Sequence, residues 1–166
     1  MSGFHGIIAA SAGCNCTPAY VTGDRTGSIT VTTNITLGQG TINNLVDGSF
    51  VCDLNSSYYW NVATLTTSMY VQFDFGSKTL VTEARLNTHV PSVNQGVWQW
   101  QGSDDGSSWT DIGGTFTFGA YTTNPQTWST LNGNETGYRY YRIRGVSGSI
   151  TSASWITELE FKQCTC

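Results

Sequence analysis

The groups in this 166-residue chain able to cross-link it, hold a metal or move protons are five cysteines, two histidines and eleven acidic residues. The cysteines stand at 14, 16, 52, 164 and 166, so two Cys-x-Cys pairs bracket the sequence. If the terminal segments pair as antiparallel strands, Cys14 faces Cys166 and Cys16 faces Cys164, because both index sums equal 180 and alternate residues share one face. Directly opposed residues have Cβ atoms about 4.5–5.5 Å apart, close to what a disulfide needs. Three states are open for these four: two stacked disulfides, a tetrahedral zinc site, for which Cys-x2-Cys is the usual spacing, or reduced thiols. Cys52 reads as a lone thiol.

Catalysis finds little support. A nucleophilic Ser or Cys needs a base beside it, and the histidines are His5, near the start, and His89, at the end of an apolar run; neither stands in a recognisable motif. Glu158 and Glu160 lie two apart on one strand and share a face, so they cannot flank a sugar from opposite sides as glycoside hydrolysis requires. No phosphate loop, zinc-protease helix or dinucleotide fingerprint is present. The expectation is a protein that is not an enzyme.

Seven basic against eleven acidic residues give a net charge of −4, and three of the seven basics are Arg139, Arg142 and Arg144. Nucleic acid is a poor partner for that balance. The longest apolar run, Ile7 to Ala12, is interrupted by Ser11, so no membrane insertion is expected. The opening Met1-Ser-Gly-Phe-His-Gly-Ile-Ile has no Lys or Arg ahead of its apolar residues and reads as mature sequence rather than a signal peptide.

The elements that must position these groups are strands. Charged residues are only 11% and aromatics 13%, with abundant Thr, Ser, Gly and Asn, a composition that favours strands and turns. Alternating or β-branched runs cover Ser28–Thr36, Met69–Phe75, Leu80–His89, Gly96–Gly102, Trp109–Ile112, Thr127–Leu131, Tyr138–Val146 and Trp155–Lys162. Glycine-bearing turns separate them, among them Gly76-Ser-Lys, Asp104-Asp-Gly-Ser-Ser, Gly113-Gly and Asn132-Gly-Asn. Residues 1–13 read as a flexible docking arm whose Phe4, Ile7 and Ile8 need a partner surface. Residues 14–166 read as one all-β domain, an eight-stranded sandwich.

Four segments carry a resemblance. They are Val46-Asp-Gly-Ser with Trp60 following; Tyr70-Val-Gln-Phe-Asp-Phe-Gly76; the turn Ser103-Asp-Asp-Gly-Ser-Ser-Trp109; and Tyr138-Arg-Tyr-Tyr-Arg-Ile-Arg144 followed by Ile156-Thr-Glu-Leu-Glu-Phe161. In this order they resemble the discoidin-like, or coagulation-factor type C, domains, which belong to the galactose-binding-like jelly rolls and overlap the carbohydrate-binding modules of many glycosidases. The resemblance implies eight main strands in two sheets, with adjacent termini at one end and a ligand site on loops at the other. It also implies a structural calcium near the Asp-Gly motif, with Asp47 and Glu158 at the matching positions. Two carboxylates and backbone carbonyls of residues 45–53 would supply its oxygen ligands.

For a ligand surface the candidates are loop aromatics, namely Tyr58, Tyr59, Trp60, Tyr121 and Trp128, together with Arg142, whose guanidinium is suited to a hydroxyl or carboxylate. Trp98 and Trp100, in the family pattern, point into the core instead. The opening residues also resemble the starts of some tailed-phage structural proteins. The expected function is therefore a virion structural or decoration protein, made in the host cytoplasm and displayed on the virion surface. It would dock by its arm to other virion proteins, form a homo-oligomer on the particle, and engage host-surface carbohydrate through its loops. The alternative is a free, extracellular carbohydrate-binding module resembling a lectin.

Overall fold

Alternation of Val71, Phe73 and Phe75 with Gln72 and Asp74 makes residues 70–75 a strand with one apolar face, and the fold is organised around it. The computed structural model describes residues 14–50, 59–60, 64–88, 95–117, 126–128, 131, 133–150 and 156–166, with backbone only at 59–60, 88 and 126–128. Among these residues the strands are β1 (Ala19–Val21), β2 (Thr30–Thr33), β3 (Leu37–Gln39), β4 (Tyr59–Trp60), β5 (Tyr70–Thr88), β6 (Val97–Ser103), β7 (Thr110–Thr117), β8 (Gln126–Trp128), β9 (Tyr138–Ser147) and β10 (Ile156–Thr165). A 3-10 turn, Ile42–Leu45, lies between β3 and β4.

β5 changes partners along its 19 residues. Its first part pairs with β2 and β9, and from Thr79 onward it pairs with β10 and, at residues 84–86, with β8. One layer is therefore β2, the first part of β5, β9, β6 and β7; the other is β1, β10, the second part of β5 and β8. All of these pairings are antiparallel. This is the expected all-β sandwich.

The layers meet through aromatic edges. Phe161 of β10 packs edge-on against Phe73 at 5.0 Å, Phe75 at 5.2 Å and Trp100 at 6.1 Å between ring centres. Such pairs add about 0.5–1.5 kcal/mol each beyond the area they bury. Trp98 and Trp100 are fully buried, as the family pattern implies, and the Trp98 indole donates to the Gln95 carbonyl at 2.7 Å.

Tyr141 fastens the bend in β5. Its hydroxyl donates to the Thr79 carbonyl at 2.7 Å and accepts the Val81 and Tyr138 backbone N–H groups, both at 3.2 Å. Burial pushes this phenol up to about 12, against the opposing pull of the donors around it.

The termini are joined by disulfides Cys14–Cys166 and Cys16–Cys164, with Cα separations of 4.7 and 6.2 Å. The β1–β10 ladder itself has an index sum of 182 (Ala19 opposite Gln163), so the bridges lie beyond the end of β1 and not between directly opposed residues of it. Gly137 is required there, because a Cβ would lie 2.7 Å from the Cys14 sulfur.

One expectation is corrected. The runs Met69–Phe75 and Leu80–His89 are one strand, since Gly76-Ser-Lys is a bulge and not a chain reversal: β9 pairs on both sides of it, Asp74 with Tyr140 and Thr79 with Tyr138. The sandwich has the expected eight strands, and β3 with β4 forms a separate two-stranded ribbon; β1, β3 and β4 are two or three residues long, too short to display a period of two.

Candidate functional site

The strand registers put the ends of several connections together. Thr88 lies opposite Ile156, Val97 opposite both Thr117 and Ser147, and Cys164 opposite Leu80 at the other extreme of the β5–β10 ladder. The connections that follow Thr88 and Thr117 and precede Gln95 and Ile156 thus leave from the end of the sandwich away from the disulfides. Short backbone bonds brace that end: Leu65 N–H to the Gly148 carbonyl and Gly145 N–H to the Met69 carbonyl, both at 2.8 Å.

Of the aromatic candidates, Tyr59 and Trp60 form β4 and pair with Gln39 and Leu37 of β3, while Trp128 lies opposite Ala84 on β8. Their backbones are described and their side chains are not. Tyr58 and Tyr121 lie outside the described residues, as do Phe4, Ile7 and Ile8 of the arm, and also His5, Cys52 and His89.

Arg142 does not belong to that end. It projects from the middle of β9 onto the outer face of the first layer, half-buried, with its guanidinium 3.9 Å from the centre of the Trp109 ring. Its Nε donates to Gln101 at 2.7 Å, and the Gln101 amide donates to Asp111 at 2.6 Å. Burial, then the neighbouring charge of Arg144, pulls Arg142 below the ordinary guanidinium range. On the same face Arg139 forms a two-pronged ion pair with Asp74, both contacts at 2.9 Å. This face is polar and hydrogen-bonded: Gln99 and Gln101 are buried on it, while Arg139 is exposed.

Asp47 and Glu158 are brought together, as neighbours of the Gly48 backbone. The Glu158 Oε2 accepts the Gly48 N–H at 2.8 Å. Asp47 accepts the Ser49 N–H at 2.8 Å and the Asn44 side-chain amide at 2.9 Å, one on each oxygen. Glu158 is completely buried and is ion-paired with Arg25, itself 3% exposed. Three of the four carboxylate oxygens thus accept hydrogen bonds from this chain, and the fourth, Glu158 Oε1, faces the Arg25 guanidinium, which already supplies positive charge. That donor set does not fit a calcium ion, which takes six to eight oxygen ligands. Among the described residues no group of three or more His, Cys, Asp or Glu is arranged to hold a metal.

Sequence reasoning singles out neither Arg25 nor a second pair beside it, Arg85 with Glu160 at 2.5 Å, where Glu160 is 1% exposed. The Arg85 guanidinium lies 4.0 Å from the centre of the Tyr20 ring. Opposite charges in separate strands were the available signal, and they identify no partners until the register is known.

No family model matches this sequence, and no curated protein matches it. Solved structures share the fold. A family 32 carbohydrate-binding module of AlyQ, in complex with 4,5-unsaturated mannuronic acid, superposes with a TM-score of 0.57 at 22% identity, over 80% of this chain and 92% of that one. The C-terminal domain of a chitobiase from Bacteroides fragilis gives 0.61 at 16% identity, over 89% and 99%. The family 32 module of NanJ from C. perfringens, in complex with galactose, gives 0.57 at 12% identity, over 86% and 98%. At such identities the likeness establishes the fold alone: this chain shares the β-sandwich of the family 32 modules.

Proposed function

We propose that this domain is a carbohydrate-binding module that recognises sugar by the connections at the end opposite its disulfides. The observation that carries the reading is the shared sandwich: two of the similar structures are sugar complexes. The convergence of several connections at one end, braced by backbone bonds, supports that end as the binding surface, because rigid elements beneath variable loops suit recognition. Tyr58, Tyr59, Trp60 and Tyr121 are the aromatics assigned to stack on sugar rings there, with Trp128, opposite Ala84 within the second part of β5, as a further stacking candidate. Two disulfides support an oxidising, extracellular destination.

The test is titration calorimetry with galactose and with oligomers of mannuronic acid, preceded by a glycan array. Tyr59→Ala, Trp60→Ala and Trp128→Ala should each weaken binding about tenfold, the loss of one stacking contact, while the melting temperature holds. Undiminished affinity in all three variants overturns the loop assignment, and absence of binding across the array overturns the reading itself.

The finer reading, a virion decoration protein docked through residues 1–13 and assembled as a homo-oligomer, draws its support from the sequence of the arm alone. Particles that incorporate a chain lacking residues 1–13 as well as the full chain would count against it.

A further inference from the structure

Residues 21–28 form a surface segment in which Arg25 alone is buried. Its backbone is pinned on both sides. The Arg25 N–H donates to the Val46 carbonyl at 2.8 Å, and its carbonyl accepts the N–H groups of Ser28 and Ile29 at 2.9 and 2.8 Å. Asp24 closes the turn by accepting the Thr26 N–H at 2.9 Å and hydroxyl at 2.7 Å. This turn rests directly on Gly48, where φ is +77° and a side chain would run into the backbone of Gly23 and Asp24.

From that anchored turn the side chain runs inward. Nε donates to the Gly23 carbonyl at 3.2 Å and the guanidinium pairs with Glu158. The second oxygen of Glu158 holds Gly48. One arginine and one glutamate therefore knot three pieces of chain: the 23–28 turn, the segment following Ile42–Leu45, and β10. Burial lowers Arg25 to about 10, opposed by the charges of Glu160, Asp24 and Asp47, so it remains a cation at neutral pH.

We infer that Arg25 is a built-in cation that takes the place of a bound divalent metal at this node, so the domain holds its 42–49 segment against β10 without calcium. A calcium ion would have to displace a covalently tethered guanidinium from Glu158, freeing donors that are buried with it. Each released donor would then need a new partner.

Thermal unfolding of the intact, disulfide-bonded chain tests this in millimolar calcium chloride and in EDTA. The expected melting temperatures agree within about 1 °C, whereas a resident calcium well above its Kd would raise stability by several degrees. A shift of that size in either condition overturns the inference. The second arm is a double-mutant cycle of Arg25→Met and Glu158→Gln. Each single change should lower the midpoint by roughly 10 °C, and the double change by clearly less than the two together, since the pair acts as a unit. Additive losses overturn the inference. Should the single variants fail to fold, the calcium and EDTA comparison on the unaltered chain decides alone.

Discussion

The two layers of the sandwich carry similar ionic groups on their outer faces and use them differently. On the β10 layer, Glu158 and Glu160 face away from Leu159 and Phe161, yet both carboxylates are buried, the first 0% and the second 1% exposed. On the β9 layer the Arg139–Asp74 pair has better geometry on paper, with two contacts at 2.9 Å, but the Arg139 side chain is 44% exposed. The difference comes from what covers each face. The 23–28 turn and the 42–49 segment close over the start of β10, whereas on β9 the Trp109 ring covers Arg142 and leaves Arg139 exposed. Pairs buried under a lid cannot be broken singly without stranding a charge, whereas an open pair falls back on water.

The sharpest way to break this comparison is Glu158→Ala. It leaves Arg25 buried without its counter-charge, and the expected loss is about 3–5 kcal/mol, measured by denaturant unfolding. A loss below 1 kcal/mol would mean that the covered face is no more demanding than the open one.

Next in size is the link between the layers. The folded state holds the Tyr141 phenol near 12 against an ordinary value of 10. Its stabilising share is thus complete below pH 10 and disappears as pH rises from 10 to 12, a loss of roughly 2–3 kcal/mol. Tyr141→Phe should flatten this alkaline limb, while lowering neutral stability because the Val81 and Tyr138 N–H groups lose their acceptor. An unchanged limb in the variant would assign it to another group.

Smallest is Arg139→Ala on the open face, where the expected change in melting temperature is about 1 °C and fades as salt is added. The Asp74 carboxyl is held below its usual range chiefly by the Arg139 hydrogen bonds. Its contribution is therefore present above pH 4 and lost as pH falls through the lowered value. A salt-independent drop of several degrees at Arg139→Ala would erase the contrast between the faces.

Much of the fold is legible from local pattern. The alternation in 70–75, the Ser103 to Trp109 turn and the aromatic Tyr138–Arg144 run each map onto observed elements, because a period of two and a glycine turn are properties of a few adjacent residues. The Asp105 carboxylate illustrates this: it accepts the N–H groups of Ser108 and Ser107 and the Ser103 hydroxyl, a closed local circuit that holds it well below the usual carboxylate range. The candidate site is less legible. Arg142 is identified as an outward guanidinium, but its partners Trp109 and Gln101 come from β6 and the turn beyond it. Asp47 and Glu158 are matched by resemblance, while the arginine between them lies in a segment with no distinguishing pattern.

By itself, then, the sequence determined the all-β class, the turns, and which cysteines could meet. These follow from side-chain size, periodicity and index arithmetic, all short-range or pairwise. Only the tertiary structure decided that β5 is one bent strand serving both layers, that Glu160 faces Arg85, and that a guanidinium rather than a free pair of carboxylates stands beside Gly48. Those outcomes depend on register between distant strands and on which loop covers which face. Burial turns the same surface charges into a structural knot on one side and leaves them solvated on the other.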